Sequence, residues 1–305
     1  MSDRRTKLKN IAQGTLEAIE AGSYDLHGTT YDLRGPTDQS KRNTSYYAPD
    51  SVLSSWLTGG PDTPVDAPNV VLLEATTLEG ARFLHAALGT ASPPDGPDPP
   101  KPKVGVLNFA SARKPGGGFL TGAQAQEESI ARASTLYPTF MTRTAQAFYT
   151  LHNRDPKAGY YTHAMIYSPG VTVVRDDAGE WIAPYQVDVL TSPAVNAGVV
   201  RKSLFGKVAG AGVEDKIEQA MRERMGRILY LFEKQGVKQV VLGSFGTGVF
   251  QNKVDMVARV WTELLLKDGA RFKNSFENVV FAIIGGKDTH AIFSDAFQGH
   301  DVKVS

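Results

Sequence analysis

The chain has 305 residues, 41% hydrophobic and 21% charged, which is the composition of a globular protein long enough for one large domain or two small ones. Its net charge of +1 sets up no field for gripping a nucleic-acid backbone or an anionic membrane, so neither is expected as a partner. With no cysteine, disulfide scaffolds, thiolate zinc sites and cysteine nucleophiles are excluded. The first ten residues are polar with no apolar stretch behind them, and no apolar run reaches the eighteen or so residues of a membrane span, so a soluble intracellular protein is expected.

In chain order, Thr6 to Ala21 places Leu8, Ile11, Ala12, Leu16 and Ile19 on one helical face, and Gly22 is a stop signal. Tyr24, Leu26, Tyr31 and Leu33 alternate loosely, as in a small hairpin or an extended arm. Asn43 to Pro49 reads as loop, and Ser51 to Leu57 as a short helix. Val70-Val-Leu-Leu73 is a continuous apolar strand, followed by a helix over Leu78 to Leu88. Ser92 to Lys103 holds six of the 17 prolines and reads as a stiff surface excursion without a core.

Val104 to Leu107 is a second apolar strand. It runs into Asn108, then Gly116-Gly117-Gly118, then Gln126-Glu127-Glu128 at the start of a helix over Ser129 to Leu136. Glycines let the backbone take positive φ and press against a ligand. Adjacent glutamates on a helix point about 100° apart, which suits one catalytic and one positioning carboxyl. The plainer reading is a surface loop and a solvated acidic first turn, which helices favour in any case.

Further on, Phe140 to His152 reads as a helix and Ala164 to Tyr167 as a strand. Val171 to Arg175 and Trp181-Ile182 flank the turn Asp176-Asp-Ala-Gly179, and Val187 to Leu190 is another strand. A long helix over Glu214 to Lys234, a strand over Gln239 to Leu242, a helix over Lys253 to Lys267 and a strand over Asn278 to Ile284 complete the pattern. Apolar strands between helices predict a sheet covered on both faces, in a three-layer α/β/α domain over residues 66–305. Residues 1–65 are expected to pack on it as an N-terminal extension.

Leu242 is followed by Gly243-Ser244-Phe245-Gly246-Thr247-Gly248-Val249-Phe250 and a helix. Glycines at a strand-to-helix junction turn backbone N–H groups toward an anion, so a phosphate or diphosphate is the natural occupant. No Gly-Lys-Ser/Thr follows, Gly-x-Ser-x-Gly is absent, and the next strand ends Ile284-Gly-Gly rather than in a carboxylate. Walker A, hydrolase-elbow and dinucleotide readings are therefore disfavoured. Two more loops follow strands, Glu74-Ala-Thr76-Thr77 and Thr191-Ser-Pro-Ala-Val-Asn196-Ala-Gly198. Together these loops predict a polar rim around one ligand beyond the carboxyl ends of the strands. The six histidines (27, 85, 152, 163, 290 and 300) have no ligand spacing, so no metal and no cofactor are expected.

Gly116-Gly-Gly118, seven residues, then Gln126-Glu-Glu128 resembles the signature of poly(ADP-ribose) glycohydrolases, which have the macrodomain fold. Gly243 to Phe250 resembles the diphosphate loop of the microbial branch, and the N-terminal helix and Ser192 to Gly198 are similar to that branch too. The resemblance runs from about Ile11 to Ile284. It implies ADP-ribose polymers and the proteins that carry them as partners, and hydrolysis of ribose–ribose O-glycosidic bonds; a monomer is expected. It implies Glu128 as the catalytic carboxyl, with Glu127 and Asn108 on the neighbouring ribose. Gly116, Gly117 and Gly118 would wall the ribose and diphosphate, and Phe250 would stack near adenine. Gln126, Thr76, Thr77, Asn196 and the loop Gly243 to Val249 complete the implied binding set. Where the family's pattern has an aspartate for the adenine amino group, this chain has Thr76. Two other readings share the cradle: a module that binds ADP-ribose without cutting it, and a hydrolase of single ADP-ribosyl groups. Retention of both glutamates argues against the first. A nucleotide-dependent oxidoreductase is weakened by the missing acidic ribose partner.

Overall fold

The computed structural model describes residues 2–61, 63–66, 68–89, 102–154, 159–203, 206, 210 and 212–304. The proline-rich stretch expected as a surface excursion lies almost wholly outside the described residues, which resume at Pro102. The elements run α1 (Ser2–Ala21), β1 (Ser23–Leu26), β2 (Thr29–Asp32), α2 (Arg34–Asn43) and β3 (Ser45–Tyr47). Then come β4 (Asn69–Leu73), α3 (Thr77–Gly89), β5 (Val104–Phe109), α4 (Gln126–Ala133), α5 (Leu136–Phe140) and α6 (Arg143–Arg154). After them are β6 (Met165–Arg175), β7 (Trp181–Ser192), α7 (Ala197–Lys202), α8 (Gly212–Lys234) and β8 (Gln239–Leu242). The last are α9 (Val254–Leu265), β9 (Asn278–Ala282), α10 (Lys287–Ala296) and β10 (Val302–Val304). Among the described residues no helix is long and apolar enough to cross a membrane.

The chain forms two compact units. The first comprises Met1–Pro49, Asn108–Lys157 and Tyr161–Pro193. Its framework is antiparallel: β3 pairs with β6, and β6 with β7, in one long hairpin. The sequence pattern suggests four short strands here. They are two long ones, because Pro169-Gly170 forms a bulge, with Gly170 at φ +66°, that interrupts the alternation without ending the strand. Two apolar clusters pin the N-terminal segment to this framework. Ala12 packs with Phe119 and Ala131, and Ala18 with Tyr24, Leu33 and Val174. Small residues on the inner face of α1 let the helix lie close.

The second unit comprises Asp50–Leu107, Ala158–Tyr160 and Ala194–Ser305. Its strands are all parallel, in the order β10-β4-β9-β8-β5. Val70 to Leu72, Val240 to Leu242 and Val279 to Phe281 are buried throughout, which is why these runs are continuous rather than alternating. Trp261, Phe281, Phe293 and Phe297 fill the space among α9, β9 and α10. The strand expected to reach Ile284 ends at Ala282, and the segment expected to form a helix over Ser51 to Leu57 is a single 3₁₀ turn, Val52–Ser55. The mixed α/β class read from the sequence holds. One strand, β5, changes units along its length, with Val104 to Leu107 in the second and Asn108 and Phe109 in the first.

Candidate active site

In the first unit, β5 ends at Phe109 and α4 begins at Gln126. Gln126 Oε1 accepts the Phe109 N–H at 2.8 Å, so the loop closes on itself before any ligand is considered. Inside it, Gly116 (φ +66°) and Gly117 (φ +60°) both occupy the left-handed region. At Gly117 a Cβ would lie 2.4 Å from Glu128 Oε1 and 3.1 Å from Glu127 Oε2. Glycine here is thus required twice, by backbone conformation and by the two carboxyls pressing on it.

The two glutamates differ in how they are held. Glu127 is 2% exposed, with Oε2 accepting the Ser111 N–H at 2.7 Å and Oε1 the Asn108 Nδ2 at 3.4 Å. Burial pushes its pKa up to about 8, with the charge of Glu128 adding to the push. The N–H donors of Ser111 and Gly116 and the Asn108 amide pull the other way. Glu128 is 8% exposed; Oε1 accepts the Gly118 N–H at 2.9 Å, and Oε2 is buried without a partner among the described residues.

Asn108 is fully buried; its Nδ2 also donates to Thr191 Oγ1 at 3.2 Å, and its Oδ1 has no partner among the described residues. On α6 the Tyr149 hydroxyl is likewise buried and unpartnered, and burial, then the charge of Glu127, pushes its pKa up. Buried polar groups are ordinarily satisfied. Asn108, Glu128 and Tyr149 thus each keep a buried oxygen without a partner among the described residues of this unit. Gly116 to Gly118, Asn108, Gln126, Glu127 and Glu128 are thus brought together here.

In the second unit the glycine loop after β8 is built from main chain. Phe245 N–H donates to Gly243 O at 2.8 Å, Thr247 N–H to Ser244 O at 3.2 Å, and Asn252 N–H to Gly246 O at 3.1 Å. Trp261 Nε1 anchors Gly243 O at 3.0 Å. Gly246 sits at φ +75°, and a Cβ there would be 2.3 Å from the Ala194 Cβ. Phe245 is wholly buried, so what it can offer a ligand is main chain. Gly248 and Val249 are exposed, and Phe250 is half-buried with its carbonyl accepting the Gly198 N–H at 3.2 Å. Asn196 caps α7, its Oδ1 accepting the Val199 N–H at 3.1 Å.

Asn252, which the sequence reading passes over, is the staple of this unit's site. It is 3% exposed, and its Nδ2 donates to Val195 O at 2.7 Å and Gly246 O at 2.9 Å, which ties the two loops together. Its neighbour Gln251 is held at φ +58°, with its carbonyl taken by Arg201 Nη1 at 2.7 Å and Arg201 paired with Glu214. No periodic signal marks these residues, because each acts through a contact distant in sequence.

Thr76 and Glu79 form a capping box at the start of α3. Glu79 N–H donates to Thr76 Oγ1 at 3.0 Å, and Thr76 N–H to Glu79 Oε2 at 2.7 Å. The Thr-x-x-Glu spacing carries this signal in the sequence. Thr77 beside it is buried. Among the described residues no group of three His, Asp or Glu side chains is placed to hold a metal ion.

The family model that matches the chain is the microbial-type PARG (poly(ADP-ribose) glycohydrolase) catalytic domain, over residues 12–176. The poly(ADP-ribose) glycohydrolase of Thermomonospora curvata, solved with the inhibitor ADP-HPD, is 36% identical with a TM-score of 0.80, and the match covers 96% of this chain and 100% of that one. That of Deinococcus radiodurans, solved with ADP-ribose, is 32% identical with a TM-score of 0.73, over 88% of this chain and 99% of that one. A comparison with curated proteins finds no match.

Proposed function

The chain belongs to the microbial-type poly(ADP-ribose) glycohydrolases, and we propose that it hydrolyses the ribose–ribose O-glycosidic bonds of poly(ADP-ribose) with Glu128 as its general acid and base. The observation that carries the assignment is the asymmetry of the two carboxyls. Both oxygens of Glu127 accept hydrogen bonds, whereas Glu128 keeps Oε2 buried and free while Gly118 fixes Oε1. A carboxyl oriented through one oxygen and free at the other is what proton transfer to a leaving sugar oxygen requires.

Breaking the bond passes through an oxocarbenium-like ribose, and the departing ribose hydroxyl needs a proton. In the proposed step the Glu128 carboxyl gives its proton through Oε2 to the leaving oxygen, then takes one back from the attacking water, so the acid is regenerated. General acid–base work of this kind is worth roughly 10²–10⁴-fold. Asn108 and Glu127 hold the ribose beside the bond, and the glycine triplet lets it approach within reach of Glu128.

The second unit's loop, Gly243 to Phe250, takes the diphosphate on main-chain N–H groups, with Phe250 against adenine. Thr76 Oγ1 accepts from Glu79, which leaves the hydroxyl proton free to donate to a ring nitrogen of adenine. An aspartate there would accept from the amino group instead.

The test offers purified poly(ADP-ribose) and, separately, a protein carrying single ADP-ribosyl groups, and measures free ADP-ribose. Release from the polymer by the native chain and none by Glu128→Gln is the expected result. Release from the single groups alone would replace the proposed substrate. Equal release by native and Glu128→Gln would move the acid to another residue.

A further inference from the structure

Arg132 stands one helical turn beyond Glu128 on α4 and is 6% exposed. Its Nη1 donates to the Ala123 carbonyl at 2.6 Å and its Nη2 to Ser129 Oγ at 3.2 Å. The Ala123 N–H donates to Gly118 O at 3.2 Å, and the Gly118 N–H holds Glu128 Oε1 at 2.9 Å. The contacts thus form a ring. It leaves α4 at Arg132, passes through the Ala123 and Gly118 peptides, and returns to α4 at Glu128.

The far side of the ring is braced. The Arg132 carbonyl accepts Thr15 Oγ1 from α1 at 2.7 Å, and Thr15 is 1% exposed. Thr15 Oγ1 in turn accepts Arg175 Nε at 2.8 Å. Arg175 donates Nη1 to Gly179 O at 2.6 Å and lies 3.4 Å from the centroid of the Trp181 ring. Burial pushes the Arg132 pKa down while the charge of Glu128 opposes the shift. A buried guanidinium is costly to keep unless its donors are used, and here they fasten the loop that orients Glu128.

We propose that Arg132 is a positioning residue of the hydrolysis: by clamping the Ala123 carbonyl it fixes Gly118, and through Gly118 the Glu128 carboxyl, against α4, with Thr15 and Arg175 holding the clamp in place. The proposal rests on the assignment of Glu128 as the acid. The Arg132 guanidinium is engaged by Ala123 O and Ser129 Oγ, so its role is to position and not to react. A planar fork serves the Ala123 carbonyl and the Ser129 hydroxyl together, which the single ammonium of a lysine does only in part. The N-terminal helix thereby enters the catalytic apparatus through one threonine hydroxyl.

The experiment compares Arg132→Met, which keeps the apolar stem, with Arg132→Lys, reading both the turnover rate at saturating polymer and the affinity for ADP-ribose. A displaced acid of this kind costs about 100-fold, so Arg132→Met is expected to lose about that much in kcat while binding ADP-ribose within about twofold of native. Arg132→Lys is expected to recover about tenfold of the loss, since it restores one donor. Native kcat in Arg132→Met, or a fall in affinity that matches the fall in kcat, would overturn the proposal. Should Arg132→Met fail to fold, Thr15→Val cuts the brace and leaves the guanidinium in place. A several-fold fall in kcat at native affinity supports the clamp, and native kcat overturns it. Glu128→Gln, run beside them, separates the two levels. If it turns over like the native chain, the acid assignment fails whatever the Arg132 variants do.

Discussion

The glutamate loop of the first unit and the glycine loop of the second both follow buried strands and both depend on glycines at positive φ, yet they are built from different materials. In the first, side-chain oxygens are held mainly by main-chain N–H groups: Glu127 by the Ser111 N–H and the Asn108 amide, Glu128 by the Gly118 N–H, and Gln126 by the Phe109 N–H. In the second, peptides hold peptides, with Asn252 and Trp261 as side-chain staples on the loop carbonyls. Under the proposed function the difference follows from the task. A proton must be delivered from one atom at one place, so the donor carboxyl is oriented by a buried contact. A diphosphate would be met by a surface of N–H groups, where backbone shape matters most. Damage to the first loop should therefore appear in turnover, and damage to the second in affinity.

The sharpest way to break that division is Gly117→Ala. The new Cβ would meet Glu128 Oε1 at 2.4 Å in a backbone conformation that costs an L-residue about 1–2 kcal/mol. We expect kcat to fall by about 100-fold with little change in ADP-ribose affinity. An equal loss in both, measured by steady-state kinetics and calorimetry, would erase the distinction. The converse is Phe250→Ala. Stacking on a base is worth about 1–3 kcal/mol, so ADP-ribose affinity should weaken by about tenfold or more, with turnover at saturating polymer nearly native.

Glu127 gives a smaller and more specific effect. Its pKa is raised in the folded state from 4.5 to about 8. Its contribution to stability is therefore complete below about pH 4.5 and is lost as pH rises through about 8. Thermal unfolding of the native chain should shift downward over that interval. In Glu127→Gln the downward shift should disappear, and a profile identical to native would show that the carboxyl is not buried as described. The arginine-paired Glu214, Glu218, Glu233 and Glu263 have lowered pKa values and act in the opposite sense, losing their contribution only in acid. Least of all, Thr76→Ala removes one half of a capping box and should cost about 1 kcal/mol in urea unfolding, and with the adenine donor gone it should weaken ADP-ribose binding while turnover at saturating polymer stays native.

How far each loop can be read from the sequence follows from the same contrast. Glycine triplets, adjacent glutamates and apolar strand runs are local signals, and Val104 to Leu107, Gln239 to Leu242 and the Gly-Gly-Gly to Glu-Glu spacing are visible without a structure. Arg132 is not, because on a helix it reads as an ordinary solvated charge, and only the Ala123 carbonyl nine residues back gives it a use. Asn252 and Thr15 are silent for the same reason. Among the elements, α2 escapes because its buried residues are Thr37 and Ser40, so no apolar stripe marks it. The bulge at Pro169-Gly170 divides one hairpin into apparent fragments, since alternation restarts on either side of it.

The division between the loops meets its most direct test in Glu128→Gln, taken through one pair of readings on the same sample. These are calorimetric binding of ADP-ribose and single-turnover release of ADP-ribose from poly(ADP-ribose). Native affinity is expected together with release slowed by at least about 100-fold, because the cradle is intact and the proton donor is gone. Release at the native rate, or loss of binding along with release, would contradict it.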